Sequence, residues 1–299
     1  MSTLIIGGAG YIGTHLCSYL LKKNENVISF DNYSTGNKRL LPIGAIPYKG
    51  DMDNVILLKE VIENNPIDKV VLLAAFTSVQ EGQLSPEKYY QNNIVKTMKA
   101  LEVIFSYNKV KSIVFSSSAL SAEKNLSCYG FTKKYIESEL REKAKGSKKT
   151  VVSLRLFNVI GALPEKGIGE SHKPETHLIP NVCKSVLKEK TFNLFGDCER
   201  DYVDVMDVCS AFERVLNLSF GSYVFEVGSG KTRKTTEVIN IFEKVVGEKV
   251  KVNSTAVRQG DIDSISSKNL DKTINLGWMP KVSIEESIGN AWRWHGSRI

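Results

Sequence analysis

The stretch IIGGAGYIG, residues 5–13, follows the first apolar run of the chain and opens its first helical pattern. Gly8, Gly10 and Gly13 fit GxGxxG, and Gly7, Gly10 and Gly13 fit the looser GxxGxxG. Glycines at such a turn let the backbone approach a pyrophosphate, whose charge is held by free N–H groups at the helix N-terminus. Glycine-rich turns also arise for packing alone, but this one has the strand-to-helix context of a dinucleotide-binding loop.

An acidic residue ends the second apolar run, NVISFD at residues 26–31, 18 residues beyond Gly13. The carboxylate of Asp31 can accept hydrogen bonds from the adenosine ribose hydroxyls, and it would repel a 2′-phosphate. The sequence therefore predicts NAD rather than NADP. The structural alternative is that Asp31 only starts the turn NYSTGN, but strand, loop and spacing together favour the cofactor role.

Short β-branched runs alternate with longer helical patterns as far as residue 161. Strands that are apolar on both faces and separated by helices indicate a parallel sheet covered on both sides. We expect an α/β fold, a doubly wound parallel sheet (Rossmann), with an NAD-binding domain at 1–161. Residues 162–299 are expected to form a smaller substrate-binding cap whose elements are interleaved with it, with helices at 177–190, 235–246 and 283–295 and short strands at FNLFG and YVFEVG.

Composition excludes several classes of protein. The 299 residues are 42% hydrophobic with a net charge of +7, and the lysines are scattered, which predicts no nucleic-acid partner and no membrane surface. Five cysteines without a CxxC pair argue against disulfides and zinc, and His172 and His177 fall in a polar loop, so no metal is expected. The longest apolar run, residues 70–76, is too short to span a bilayer. We expect a cytoplasmic protein.

The stretch FSSSALSAEKNLSCYGFTKK, residues 115–134, carries the candidate catalytic groups. Tyr129 and Lys133 are four residues apart, so they share one face of a helix, whereas Lys134 does not. An ammonium near a phenol lowers the pKa of the phenol toward neutrality and makes it a general base. Ser118, at the end of the fifth strand, can bond the same substrate hydroxyl. A lysine-rich helix can contain Tyr-x-x-x-Lys by chance, but not together with the other motifs.

Ten motifs in order carry a family resemblance: GGAGYIG, DNYSTGN, GDM, LLAAFTSV, YYQNNIVKT, FSSSA, YGFTK, LRLFNVIGA, RDYVDVMDV and VRQGD. Together they resemble the extended short-chain dehydrogenases/reductases, and within that family most of all the UDP-galactose (UDP-glucose) 4-epimerases. The resemblance runs from residue 3 nearly to the C-terminus.

The resemblance implies roles for particular residues. Tyr129, Lys133 and Ser118 would be catalytic, and Lys133 would also contact the nicotinamide ribose. NAD would be surrounded by Gly7, Gly10, Tyr11, Ile12, Gly13, Asp31, Asn32, Tyr33, Ser34, Thr35, Gly36, Asp51, Met52, Leu73, Ala74, Ala75, Thr77, Asn93, Ser116, Tyr129, Lys133 and Phe157. The nucleotide sugar would contact Ser118, Tyr129, Asn158, His177, Leu178, Asn193, Phe195, Arg200, Arg258 and Asp261. Arg200 and Arg258 would pair with its diphosphate.

The chain departs from the family pattern around the sugar and the nucleotide. ALSAEKNLSC alone fills the interval between Ser118 and Tyr129, where relatives have a longer loop. Leu72 stands where a histidine is common, and the segment before Arg200 is shortened to GDCE. The short loop and Ile265, at a position where some relatives have tyrosine, predict room for an N-acetylated hexosamine.

The residues after Ser118 select among reactions. Related dehydratases place an acid pair there, and sugar-acid decarboxylases commonly place a glutamate, but this chain has Ala119 and Leu120. The prediction is therefore epimerisation at C4 of a nucleotide-diphosphate hexose through a transient 4-keto sugar. An NAD(P)H-dependent keto-sugar reductase and a non-catalytic dinucleotide-binding protein remain as alternatives, and the hexose and the nucleotide remain open.

A homodimer is the expected assembly. The helices predicted at 86–107 and 129–145 carry apolar faces that would either bury against the core or pair across a dimer, as in the resembled family. The residues concerned are Tyr90, Ile94, Met98, Leu101, Ile136 and Leu140.

Overall fold

A computed structural model describes residues 1–172, 175–257 and 262–298. The strands are β1 (Ser2–Ile6), β2 (Asn26–Asp31), β3 (Ile46–Lys49), β4 (Ile67–Leu72), β5 (Ser112–Ser118), β6 (Thr150–Leu156), β7 (Asn158–Ile160), β8 (Phe192–Phe195), β9 (Glu199–Asp204), β10 (Gly221–Val227), β11 (Thr232–Lys234), β12 (Val252–Thr255) and β13 (Ser264–Ile265). The helices are α1 (Tyr11–Lys22), α2 (Val55–Asn64), α3 (Val79–Leu84), α4 (Pro86–Tyr89), α5 (Thr97–Ser106), α6 (Cys128–Lys145), α7 (Leu178–Leu187), α8 (Val205–Leu216), α9 (Thr235–Val246), α10 (Leu270–Ile274) and α11 (Ile284–Gly296).

The central sheet has seven strands in the order β10-β6-β5-β4-β1-β2-β3. Every neighbouring pair is parallel. The chain reverses its direction of progress across the sheet between β1 and β4, so the loops after these two strands diverge and leave a crevice at their carboxyl ends. The doubly wound parallel sheet predicted from the sequence is confirmed, and its switch point is where the site lies.

Both faces of the sheet are buried. Leu4 and Ile6 of β1 belong to one apolar core, which α2, α5 and α6 cover. Ile5, between them, belongs to the other core, which α1 and α8 cover. Because side chains alternate along a strand, burial on both faces requires the unbroken apolar runs seen in the sequence.

The strand YVFEVG was expected in the cap, and that placement was wrong. It forms β10, which pairs in parallel with β6 at the edge of the central sheet. Phe225 and Val227 are buried in the same core as α8, a helix that the sequence pattern did not predict. An apolar strand of this kind needs covering on both faces, and only the large sheet offers that. The chain beyond residue 161 therefore contributes to both units.

The cap has its own apolar core, which includes Ile179, Phe242 and Ile288 from α7, α9 and α11. Its strands form two small sheets: β11, β9 and β13 with β7 paired to β9, and β8 paired with β12. No helix in the described ranges combines the length and the apolar character that crossing a membrane requires.

The helix expected at 86–107 is helical from Pro86 to Ser106, but Tyr90–Lys96 is wound as a π-helix. Such segments often mark functional positions. Asn93, within it, is buried, and its side chain bonds both backbone groups of Phe76 at 2.8 and 2.9 Å. The π-helix thus holds the loop that follows β4.

Candidate active site

A cavity of about 830 Å³ opens at the carboxyl ends of the central strands, between the sheet and the cap. The structure brings most of the predicted residues together on its wall: Gly7, Gly10, Tyr11, Ile12, Gly13, Asp31, Asn32, Ser34, Thr35, Asp51, Met52, Leu73, Ala74, Ala75, Thr77, Ser116, Ser118, Tyr129, Lys133, Phe157, Asn158, His177, Leu178 and Arg200. One continuous site therefore contains both the cofactor and the substrate candidates.

Five predicted residues do not line this cavity: Tyr33, Gly36, Asn93, Asn193 and Phe195. Gly36 packs against the backbone of Ala9, and Asn93 holds Phe76. Asn193 is exposed on β8, where it accepts a hydrogen bond from Asn253. Arg258 and Asp261 lie outside the described residues, so their roles stay predictions.

The glycine loop has the shape that a dinucleotide needs. Gly7 has a φ of 87°, and a Cβ on it would lie 2.5 Å from the backbone nitrogen of Ala74. A Cβ on Gly13 would lie 2.3 Å from the carbonyl oxygen of Gly7, so only glycine lets α1 pack this close to the loop. Gly10 caps α1 without any side-chain hydrogen bond, which leaves the helix N-terminus open toward the cavity. These residues fit a bound pyrophosphate.

Asp31 is buried at the end of β2 and organises two turns. Its Oδ2 accepts from the backbone N–H of Ala9 at 2.9 Å, and its Oδ1 accepts from that of Tyr33 at 2.7 Å. Burial raises the pKa of Asp31, and the two backbone hydrogen bonds oppose that shift. The carboxylate thus fits the ribose position and also joins the glycine loop to the next turn, a coupling that the sequence did not reveal.

Asp51 carries a second charge on the cofactor side. Its Oδ2 accepts from Nζ of Lys96 at 2.6 Å and from Nδ2 of Asn32 at 2.9 Å. Partial burial would raise the pKa of Asp51, but these hydrogen bonds lower it overall. Sequence reasoning missed Lys96, whose only signal was its place on the helix that also holds Asn93.

Tyr129 and Lys133 share the cavity face of α6. The Oγ of Ser127 accepts from the backbone N–H of Gly130 at 3.1 Å, which starts the helix at Cys128 and places Tyr129 in its first turn. Nζ of Lys133 donates to the carbonyl oxygen of Ser116 at 2.7 Å and lies 5.7 Å from the centre of the Tyr129 ring. The Ser118 hydroxyl is hydrogen-bonded to Tyr129. The structure therefore joins the three predicted catalytic residues.

The expected effect of Lys133 on Tyr129 was wrong for the protein by itself. Burial raises the pKa of Tyr129 to about 12, and only the hydrogen bond with Ser118 lowers it. Burial also lowers the pKa of Lys133 to about 7. Both groups are desolvated together, and loss of water disfavours the charged form of each. Burial therefore holds the pKa of Tyr129 above its ordinary value and that of Lys133 below it.

Beneath these residues lies a buried carboxylate that the sequence reading overlooked. Glu137 accepts from Ser117 Oγ at 2.5 Å, from Ser121 Oγ at 2.8 Å, and from Nε and Nη2 of Arg155 at 2.9 and 2.7 Å. It follows Lys133 by one helical turn and raises the pKa of that lysine, against the larger effect of burial. The available signal was the i, i+4 spacing of Lys133 and Glu137.

The substrate side of the cavity combines an apolar patch with a polar cluster. Ala119, Phe157 and Ile265 are buried together, with Leu120 and Ile262 packed against them. On the cap wall, Glu170 contacts His172 and His177, and both histidines line the cavity. The sequence placed both histidines in a polar loop, and the family resemblance gave His177 a substrate contact; the structure gathers the two around one buried carboxylate.

Comparison with known proteins identifies relatives along the whole chain. Residues 3–228 match the NAD dependent epimerase/dehydratase family. A UDP-glucose 4-epimerase of Lactobacillus helveticus is 35% identical, covering 99% of this chain and 98% of its own. One from Streptococcus mutans is 34% identical, with 99% and 97% covered. The crystal structure of the Bifidobacterium longum UDP-glucose 4-epimerase in complex with NAD⁺ and UDP has a TM-score of 0.93 and 30% identity, and the match covers 99% of this chain and 98% of that one.

Proposed function

The chain belongs to the NAD-dependent epimerase/dehydratase family, and on that premise we propose that it interconverts nucleotide-diphosphate hexoses at C4, with UDP-glucose and UDP-galactose as the first pair to test. The observation that carries the proposal is the position of Ser118, Tyr129 and Lys133 on the wall of the same cavity as the glycine loop. The relatives that match over nearly the whole chain are UDP-glucose 4-epimerases.

The residues on this wall have different roles in the proposed reaction. When bound in its oxidised form, NAD supplies a reversible hydride acceptor and a positive charge that lowers the pKa of a neighbouring phenol. Tyr129 then takes the proton from the O4 hydroxyl of the sugar, and Ser118 hydrogen-bonds the same oxygen. Lys133 stabilises the phenolate form of Tyr129, which is the form that accepts this proton. The 4-keto sugar then rotates to present its other face, and the same phenol returns the proton to O4.

The residues beside Ser118 support epimerisation rather than elimination. Ala119 and Leu120 line the cavity and carry no ionisable group. Eliminating water from the sugar would need a proton donor for the departing hydroxyl at this place. A reaction that only removes and restores a hydride needs none.

One experiment separates this proposal from a keto-sugar reductase and from a non-catalytic dinucleotide-binding protein. Purified protein is incubated with UDP-galactose, with no cofactor added, and the product sugars are followed. An epimerase makes UDP-glucose over many turnovers with the NAD that it retains. A reductase and a non-catalytic protein both leave the sugar unchanged in this incubation, and a second incubation with a nucleotide keto-sugar and NAD(P)H separates them, because only the reductase consumes the reduced cofactor. Unchanged sugar in the first incubation overturns the proposal.

The apolar patch supports a wider substrate range. Ile265, buried against Phe157 and Ala119, presents an aliphatic side chain to the sugar side of the cavity. We extend the proposal to N-acetylated UDP-hexosamines, because an apolar wall discriminates only weakly against an added group.

The assembly that we propose is a homodimer. Tyr90, Phe131 and Tyr135 are exposed and adjacent, with ring centres 5.9 and 6.4 Å apart. Of the six residues that the sequence offered for this face, Leu101, Ile136 and Leu140 are instead buried in the core. Sedimentation equilibrium should give twice the chain mass, and Phe131→Glu should shift the protein toward monomer because it would bury a charge in the interface.

The cysteines support the cytoplasmic location that we propose. All five are buried and unpaired in the described structure. Buried free thiols persist where glutathione and thioredoxin keep them reduced.

A further inference from the structure

Every histidine of the chain interacts with one buried carboxylate, that of Glu170. The sequence has four histidines. His172 and His177 contact Glu170 directly, and its charge also acts on His15 and His295. The four come from α1, α11 and the segment before α7, so no sequence motif relates them. The charge of Glu170 thus acts on a histidine of α1 as well as on histidines of the cap.

The direct contacts have the form of a metal-ligand set. Oε1 of Glu170 accepts from Nδ1 of His172 at 3.1 Å and contacts Nδ1 of His177. The two imidazole rings are nearly perpendicular, at 88°, with centres 5.6 Å apart. The ligand atoms of the three residues all lie within 4.8 Å of one another. Donor atoms on one tetrahedral Zn²⁺ are each about 2.0 to 2.1 Å from the ion and so lie roughly 3.3 Å from one another. The ligand atoms of these three residues would therefore need to move only slightly closer together to bind one ion.

A second buried carboxylate, that of Glu175, lies beside the cluster. Glu175, in the same segment, has a side chain that is only 5% exposed. Its Oε1 accepts from the backbone N–H of His172 at 3.1 Å and from Lys184 at 2.7 Å, while its Oε2 is buried and has no hydrogen-bond partner among the described residues. Lys184 therefore partners only one of the two oxygens of Glu175, and the other oxygen stays without a partner among the described residues. An orphaned buried carboxylate oxygen is costly, and a nearby cation would relieve it.

We propose that Glu170, His172 and His177 bind one transition-metal ion of the Zn²⁺ class. Two imidazoles and one carboxylate are a known ligand set for zinc, whereas Mg²⁺ and Ca²⁺ prefer oxygen ligands alone. His172 and His177 line the cavity, so the remaining coordination position faces the space that the substrate would fill. The ion takes the place of the two direct contacts between the imidazole Nδ1 atoms and Glu170.

Cobalt titration of tag-free, EDTA-treated protein tests the site without reference to enzyme activity. We expect one equivalent of Co²⁺ to give visible ligand-field bands of a tetrahedral site with nitrogen and oxygen donors. Zn²⁺ should displace it and Mg²⁺ should not. Saturating Zn²⁺ should also raise the melting temperature, because a ligand that binds only the folded state stabilises it.

Variants locate the ion. His172→Gln and Glu170→Gln should each weaken Co²⁺ binding by more than the roughly 10- to 100-fold that loss of an outer hydrogen-bond partner causes. The matched control is His295→Gln, which removes a histidine close to Glu170 but outside the cluster and should keep the bands. Circular dichroism checks that each variant is folded. If His172→Gln or Glu170→Gln does not fold, His177→Gln takes its place as the ligand variant.

Three results would overturn the proposal. One is the absence of stoichiometric binding. Another is a thiolate-to-cobalt charge-transfer band, which would place the ion on a cysteine. The third is undiminished binding in folded His172→Gln and His177→Gln, which would mark an adventitious ion only.

Discussion

The cofactor half and the substrate half of the cavity are built in different ways. At the glycine loop the wall is formed by backbone, packed so closely that a Cβ on Gly7 would lie 2.5 Å from the nitrogen of Ala74. Beside the cap the wall is made of side chains from distant segments: the Glu170 cluster and the apolar contact of Ile265 with Phe157. A backbone wall tolerates few residue types, whereas a side-chain wall can be changed one residue at a time.

Tyr129 stands where the two halves meet, and its loss should have the largest effect. Tyr129→Phe keeps the ring but removes the proton acceptor, so we expect kcat to fall by about 10²- to 10⁴-fold. NAD binding should be retained, because the backbone-built half is untouched. Steady-state kinetics and the bound-cofactor content of the purified variant measure the two effects. Wild-type-like turnover would remove Tyr129 from the mechanism.

A substitution of Glu137 tests whether the catalytic residues Tyr129 and Lys133 depend on the buried side-chain network beneath them. Glu137→Gln leaves Arg155 without its carboxylate, and breaking a buried ion pair on one side destabilises a protein by about 3 to 5 kcal/mol. The change also removes the charge that raises the pKa of Lys133, so that pKa falls further and the ammonium is lost at lower pH. The alkaline limb of kcat should therefore move to lower pH.

The control for this variant is Glu142→Gln, an exposed glutamate on the same helix paired with Lys145. Thermal denaturation and the pH dependence of kcat should both remain at the parent values there. A Glu137→Gln variant with reduced stability and an unmoved pH profile would make Glu137 structural only.

The glycine loop tests the backbone-built half. Gly7→Ala should destabilise the fold by at least the roughly 1 to 3 kcal/mol of a strained backbone, because its φ is 87° and its Cβ would overlap Ala74. Gly10→Ala meets its nearest atom at 3.4 Å, so it should fold normally yet bind NAD weakly. Gly146→Ala, with no atom within 4 Å, is the neutral control. Normal NAD affinity in Gly10→Ala would contradict the proposed pyrophosphate position.

Asp31 tests a side chain on which cofactor binding depends. Asp31→Ala removes a ribose acceptor and a charge that repels a 2′-phosphate, so NAD affinity should fall and the preference over NADP should narrow. Asp31→Asn keeps an acceptor but loses the charge, and should narrow the preference with less loss of NAD binding. Titration of both cofactors measures the ratio. An unchanged ratio in both variants would refute the assignment.

Ile265 should give the smallest effect, in the half that tolerates change. Ile265→Tyr narrows the sugar side of the cavity, so kcat/KM for UDP-N-acetylglucosamine should fall relative to UDP-glucose by a factor that corresponds to about 1 to 3 kcal/mol. Ile265→Val, which enlarges the space, is the matched control and should not lower the ratio. If the parent protein did not turn over the N-acetylated sugar, residues other than Ile265 would have to exclude the N-acetyl group from the sugar side of the cavity.

The cofactor half could be predicted because its determinants are local. The glycines of residues 7–13, the acid at the end of β2 and the helical spacing of Tyr129 and Lys133 each lie within a short stretch of chain. The pKa values could not be predicted in the same way, since burial of both Tyr129 and Lys133 reverses the effect expected from their spacing.

The sequence by itself determined the doubly wound sheet and the cofactor loop, because hydrophobic period and backbone conformation are properties of neighbouring residues. Only the tertiary structure decided that β10 completes the central sheet, that Glu137 joins Ser117, Ser121 and Arg155, and that His172 and His177 both contact the buried Glu170. The β10 pairing and the Glu137 contacts join segments that lie far apart in the chain. The packing of helices and strands decides which distant polar groups come together in the interior. Residue spacing along the chain therefore does not predict these contacts.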